Sequence, residues 1–438
     1  MRGSAVRDTT EPSPVVLPVT RVEIARMMRF ARWLLAALAV VTCSIFPIEV
    51  AGAASKGMIR IGLLDPSTGP LATEGGEVDA GFRYYLATHG DQLGGFSVEL
   101  RTGDEGSSVE EALAVAHQLI EQDSVDAIVG LVSSADAYGV ASYIDAQKKL
   151  LVITGAGADE LTQGAAQKTI FRVAHTSSQD VMPLGDYVCH RMRLRTAAIV
   201  AADQPYDIEA SGGFARAYTD GGCRVLQELY EPSGSTDWSQ VVGKIDKRAQ
   251  LVFTSVTISD AVSFLNAFRA AGLHATLASD GTLTDERILL QERERAFDVM
   301  SGLHYAATLT NSTNVAFRSG YESLTNRPVS QYVENGYVAA KMLDAALDRL
   351  GAGPVKIDAV LAALRVAQLD APRGPVRFDH YQQVVNNVYI RRVRQVGGRF
   401  RNDVIETFPA VSQFWQYTPD RYLQLPTYAK LKGTWARP

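Results

Sequence analysis

From Met58 onward, short runs rich in β-branched residues alternate with longer segments whose apolar side chains return about every 3.6 positions. Runs of the first kind suit strands buried on both faces, and segments of the second kind suit helices laid against a sheet. The pattern predicts strands at residues 59–64, 98–102, 127–131 and 150–154, separated by helices at 76–89, 109–122 and 135–147. A second series follows residue 175, with strands at 197–201, 224–229, 251–255 and 276–279. Strands alternating with helices predict an α/β fold with parallel sheets, and two such series in tandem predict two similar lobes.

Neither series closes on itself. Residues 311–366 read as helical, at 315–324, 331–350 and 358–365, and they follow the last strand of the second series. Such helices need a sheet face to cover. The economical path returns the chain to the first lobe near Tyr305 and sends it to the second along a strand-like run at 384–393. With the first passage near His175, this gives three crossings: lobe 1 spans 57–175 plus 306–383, and lobe 2 spans 176–305 plus 384–438. The chain's 438 residues agree, because a single hydrophobic core stops growing beyond about 250 to 300 residues. A net charge of −5 without a concentrated basic block argues against a nucleic-acid partner.

Residues 1–54 read differently. Arg29 and Arg32 precede an apolar run from Trp33 to Phe46, and small residues follow at Ala51, Gly52, Ala53 and Ala54. That order is the signature of a secretory signal peptide, cleaved near Ala53 or Ala54, and the run is shorter than the roughly 20 residues of a membrane span. The polar stretch before Met27 places the natural start at Met27 or Met28. Export sends the mature chain to the periplasm. Of three cysteines, Cys43 lies in the signal segment, and Thr42 before it fits lipidation poorly. Cys189 and Cys223 would meet an oxidising compartment, where they either pair or remain two buried thiols.

No GxxxxGK[ST], HExxH, CxxC or GxSxG motif occurs, so the usual carriers of nucleotide hydrolysis, zinc proteolysis and serine-hydrolase chemistry are missing. Gly155 and Gly157 follow a strand, but Glu160 stands where a dinucleotide fingerprint needs its third glycine. The seven histidines lack metal-ligand spacing. No cofactor, metal or catalytic group is expected. The predicted strand ends, however, gather hydroxyl and glycine residues: Ser67, Thr68 and Gly69, then Ser133 and Ser134, then Thr154, Gly155, Ala156 and Gly157. The second series adds residues 203–206, ending in Tyr206, then 255–257, and Asp280 with Gly281. Ligands of open α/β sheets bind at these carboxyl ends, where helix N-termini offer unpaired N–H groups. Each residue taken alone could equally cap a helix or shape a turn.

In order along the chain, these pieces resemble the type I periplasmic substrate-binding proteins, in the branch typified by the leucine/isoleucine/valine-binding proteins of ABC transporters. The resemblance runs from about residue 59 to 414. It is carried by Ile61-Gly62-Leu63 with Thr68-Gly69-Pro70, Val129-Gly130 with Ser133-Ser134, and Gly155 to Gly157 leading to Glu160-Leu161-Thr162. Further carriers are Phe171-Arg172, Tyr206, Gly234-Ser235-Thr236-Asp237-Trp238 and Arg373-Gly374-Pro375. It implies two Rossmann-like lobes on a three-crossing hinge, closing on a small amino acid or carboxylate that a permease with separate ATPase chains then receives. It also implies that loops matching Ser133, Ser134 and Thr154 to Gly157 hold the ligand carboxylate. An aromatic matching Tyr206 and an acid matching Asp280, which pairs with an amino group, would come from lobe 2. Thr68 and His175 complete the expected ligand set. The loop after Ile153 is one residue shorter than in amino-acid binders, and the aromatic often found near Val256 is absent. The stretch Ala156 to Thr162 with Phe171-Arg172, and Arg373-Gly374-Pro375, instead resemble branch members that take aromatic carboxylates or related small acids, and a ligand-sensing lobe of a receptor system is the further alternative.

Overall fold

The computed structural model describes residues 55–232, 234–235 and 237–436; the signal segment, its cleavage site and Cys43 lie outside them. Six strands form the first sheet: β1 (Met58–Asp65), β2 (Gln92–Leu93), β3 (Phe96–Asp104), β4 (Ala127–Gly130), β5 (Leu150–Ile153) and β6 (Ile170–Arg172). Their order is β2-β3-β1-β4-β5-β6, parallel apart from the short β2. Alternate residues of each strand serve opposite faces. Ile61, Leu63, Val129 and Val152 join one core with the helix Gln331–Asp348, while Leu64, Ile128 and Leu151 join another with the helix Ser134–Ala146.

The second sheet is built around β7 (Thr196–Ala202), β8 (Arg224–Glu231), β9 (Leu251–Ser255), β10 (Thr276–Ser279) and β11 (Met300–Leu303), in the parallel order β8-β7-β9-β10-β11. Beyond β11 it turns antiparallel, through β14 (Val384–Val396) and β15 (Arg399–Val411). Gly397 and Gly398, both at positive φ, make the two-residue turn of this long hairpin. A smaller hairpin, β12 (Gln368–Ala371) and β13 (Gly374–Phe378), pairs with the start of β14 but buries Ala371, Val376 and Phe378 in the first core.

The chain passes between the sheets after β6, after β11 and along β14, and hydrogen bonds tie these passages together. The Gln383 amide donates to Ala174 O (2.8 Å) and to Gln179 Oε1 (3.0 Å), while Gln179 Nε2 donates to the carbonyls of Val384 and Val411. Close helix packing sets the rim of the space between the sheets. In the helices Ala72–Thr88 and Gln331–Asp348, a Cβ at Gly81 would lie 1.9 Å from Val333 O, and one at Gly336 would lie 2.0 Å from Val78 O. Only glycine permits that approach, which brings Glu74 and Tyr332 to the same rim.

Cys189, in the helix Val181–His190, and Cys223, just before β8, form a disulfide with a Cα–Cα distance of 6.1 Å. It closes a loop of sequence separation 34. Replacing both cysteines with serine is expected to lower stability by about 2–4 kcal/mol, read from the denaturant midpoint. An unchanged midpoint would show that the loop adds nothing. Among the described residues, no helix is long and apolar enough to cross a membrane.

Candidate functional site

A cavity of about 310 Å³ opens between the carboxyl ends of the two sheets. On the first-sheet side its floor is the start of the helix Ser134–Ala146. Ser133 caps that helix, its hydroxyl oxygen accepting from Asp136 N (3.2 Å), and Ser134 Oγ accepts from Ala158 N (3.1 Å). Each hydroxyl accepts from the backbone and keeps its own proton free to donate. The amides of Ser134 and Ala135, first in the helix, have no carbonyl partner among the described residues. Two hydroxyls, two amides and the positive end of a four-turn helix make an anion pole. Beneath it lies Glu105, which accepts from Val132 N and Ser133 N, both at 2.9 Å, and fixes the loop. Burial pushes Glu105 up to about 8, the two amides opposing and Asp136 and Asp104 adding to the shift.

The second-sheet side has the opposite character. Tyr206 and Asp207 begin the helix Pro205–Asp220 and line the cavity. Asp207 Oδ1 accepts from Ser255 Oγ (2.6 Å), and the same hydroxyl lies 3.0 Å from Asp280 Oδ2. One proton thus serves two buried carboxylates. Burial, then the neighbouring Asp280, pushes Asp207 up to about 7; burial also raises Asp280, against bonds from Thr282 and Ser255. A cationic group at Asp207 would let both acids ionise, so this wall is a cation pole.

Of the ten residues expected at the site, Ser133, Ser134, Gly155 and Tyr206 line the cavity. The other six stand outside its lining. Thr68 is exposed and its hydroxyl donates to Asp104 (2.7 Å), while Thr154 is buried beneath the loop. Ala156 and Gly157 are turned away because their carbonyls accept from the buried guanidinium of Arg172. His175 stands behind Tyr206, its Nε2 3.0 Å from the phenol oxygen. Asp280 lies behind Asp207, linked through Ser255 and held by Thr282 N (3.1 Å) and Oγ1 (2.8 Å). The sequence reading missed Glu74, Asp136, Asp207 and Tyr332, all of which line the cavity. Asp207 had a local signal, because it follows Tyr206 in the first turn of a helix. Glu74 and Tyr332 had none.

His175, Asp180 and His304 gather ligand atoms within 4.8 Å of one another, all buried. Asp180 Oδ2 already accepts from His304 N (2.7 Å) and faces His304 Nδ1 (2.8 Å), while burial, then Arg373 and Arg391, hold His304 well below the usual histidine range. Nearby guanidinium groups disfavour a metal cation, and the cluster serves as part of the hinge network.

Two α/β lobes, a three-stranded passage between them and a polar cleft at the strand ends define the type I fold of periplasmic solute-binding proteins. The chain belongs to the periplasmic binding protein family, whose model matches residues 58–399. Its relatives include Leu/Ile/Val-binding proteins, and its structural neighbours include substrate-binding proteins of ABC transporters. A Leu/Ile/Val-binding protein homolog 6 from Brucella suis is 25% identical over 386 residues, covering 85% of this chain and 96% of the relative. Among solved structures, an ABC transporter substrate-binding protein from Sphaerobacter thermophilus is 26% identical with a TM-score of 0.78, covering 81% of this chain and 99% of its own. A solute-binding protein from Rhodopseudomonas palustris HaA2, in complex with p-hydroxybenzoic acid, is 25% identical with a TM-score of 0.77, covering 82% of this chain and 98% of its own.

Proposed function

We propose that this chain captures an amino acid in the interlobe cleft outside the cytoplasmic membrane and delivers it to a permease whose ATPase subunits are separate chains. In this reading it performs no catalysis. The observation that carries it is the pairing of two opposite poles across one cavity: the Ser133, Ser134 and Ala135 start of a helix for the carboxylate, and Asp207 backed by Asp280 for the ammonium. Export rests on the charged, apolar and small-residue order of residues 29–54. Lobe boundaries at 57–175 plus 306–383 and 176–305 plus 384–438 are supported by the separate cores on the two sheets.

A second reading, an aromatic carboxylate, is favoured by the likeness to the p-hydroxybenzoic acid complex and by the rings of Tyr206 and Tyr332 in the cavity wall. A thermal-shift screen of the mature chain separates the two, because a ligand that binds only the folded state raises the midpoint. Amino acids should raise it, and benzoates should not. The reverse result would transfer the proposal to the aromatic acids. Ser134→Ala should weaken binding by about 1–3 kcal/mol in calorimetry, as loss of a charge-assisted hydrogen bond does. Unchanged affinity with lowered stability would leave Ser134 as a prop for Ala158 alone.

A further inference from the structure

An amino acid's backbone brings one carboxylate and one ammonium, and the two poles account for both. The cavity wall holds more negative charge than that. Glu74, Asp136 and Asp207 line it, and no lysine or arginine does. Asp136 sits in the first turn of the helix Ser134–Ala146, where the helix dipole offsets its charge. Glu74 stands likewise in the first turn of its own helix, Ala72–Thr88. It is 3% exposed, and its Oε2 has no hydrogen-bond partner among the described residues.

The cation nearest Glu74, Arg287, is shared with two other carboxylates, and its Nη1 and Nη2 make no hydrogen bond among the described residues. Arg287 Nε lies 2.8 Å from Asp285 Oδ1 and 3.6 Å from Glu77 Oε1, and Arg287 Nη2 reaches Glu74 Oε1 only at 3.9 Å. Three carboxylates share one guanidinium, so this rim stays negative by about two charges when all are ionised. The cavity wall also has apolar and aromatic surface, although Arg287 already stands 5.8 Å from the Tyr332 ring centroid. Pro70, Leu71, Val256 and Ile258 offer aliphatic surface, and Tyr332 offers a ring. A methylene stem packs on such surface while its charged end reaches a polar group, and a ring face adds cation–π attraction.

We propose that the solute is an amino acid whose side chain ends in an ammonium or guanidinium group, and that Glu74 is the residue that selects it. This rests on the amino-acid reading of the cleft. The ligand's backbone spans the two poles, its stem lies along the aliphatic wall, and its terminal cation meets the Glu74 carboxylate. A neutral branched side chain would leave that carboxylate buried and unpaired, which is unfavourable.

The test is calorimetric titration of the mature chain at low salt with L-lysine, L-arginine, L-leucine and benzoate. Lysine or arginine should bind at least about tenfold tighter than leucine, with the gap narrowing as salt is added. In Glu74→Gln the lysine-to-leucine affinity ratio should fall by about tenfold. Leucine binding as tightly as lysine in the native chain would overturn the assignment of Glu74 and leave the amino-acid reading intact. Binding of benzoate alone would overturn both. Because the native panel decides between these outcomes, a Glu74→Gln variant that failed to fold would not rescue the proposal.

Discussion

Replacing Arg373 with methionine is expected to lower the stability of this protein by about 3–5 kcal/mol, the cost of leaving a buried charge without its partner. Arg373 and Glu334 are both fully buried, with Arg373 Nε 2.9 Å from Glu334 Oε1. Arg373 Nη1 also donates to Val173 O (2.9 Å), so one guanidinium ties the β12–β13 turn, the helix Gln331–Asp348 and the first interlobe passage together. Burial already raises Glu334, and Arg373 is what opposes that shift. Without the arginine the folded-state pKa of Glu334 rises further, and an acid with a raised folded pKa costs stability as pH climbs through the unfolded value. The loss should therefore be greater at neutral than at acidic pH, and Arg373→Met with Glu334→Gln should recover part of it. Urea titrations at two pH values measure both effects. A loss below about 1 kcal/mol would mean that the pair is not a structural hub.

Asp207→Asn is expected to weaken amino-acid binding by about 2–5 kcal/mol, because it removes one side of a desolvated ion pair. The fold should suffer less, since asparagine can still accept from Ser255 and one of two crowded carboxylates disappears. The native protein should show a related pH effect. Asp207 titrates at about 7, so as pH falls below that value the carboxylate takes up a proton and its attraction for an ammonium is lost. Affinity for an amino acid should decline between pH 8 and 6 in the native chain, and Asp207→Asn should flatten that part of the profile. An affinity that ignores both the substitution and the pH would remove Asp207 from the ligand's contacts.

The parallel core of each lobe was legible because its strands are buried on both faces. Runs such as Ala127–Gly130 and Leu251–Ser255 have no competing interpretation once helices flank them. β15 was not legible for the opposite reason: exposed Arg399 and Arg401 and half-buried Asp403 and Glu406 interleave its apolar residues, and Pro409 interrupts the run, so alternation against a polar background is faint. β6 escaped notice because it is only three residues long, and β11 because Met300-Ser301-Gly302-Leu303 carries no β-branched residue. At the site, Ser133 and Ser134 were found because capping chemistry and ligand chemistry both need small hydroxyls at a helix start. Asp280 was read as the lobe 2 acid because it stands at a strand end and matches the acid that the family resemblance implies. Which of two acids 73 positions apart faces the cavity depends on the helix start at Pro205, which brings Asp207 forward and leaves Asp280 bonded to Thr282. Glu74 and Tyr332 became site residues through the glycine-to-backbone contact of two helices distant in sequence, and no local pattern marks that.

The central claim is that the cleft recognises an amino group and a carboxylate at once. The most direct test is a paired calorimetric titration with the tightest-binding amino acid and with the same acid lacking only its α-amino group. The two-pole cleft predicts that the deaminated acid binds at least about 2 kcal/mol more weakly, because Asp207 and Asp280 then face no cation. Equal or tighter binding of the deaminated acid would contradict the claim and make the cleft a site for simple carboxylates.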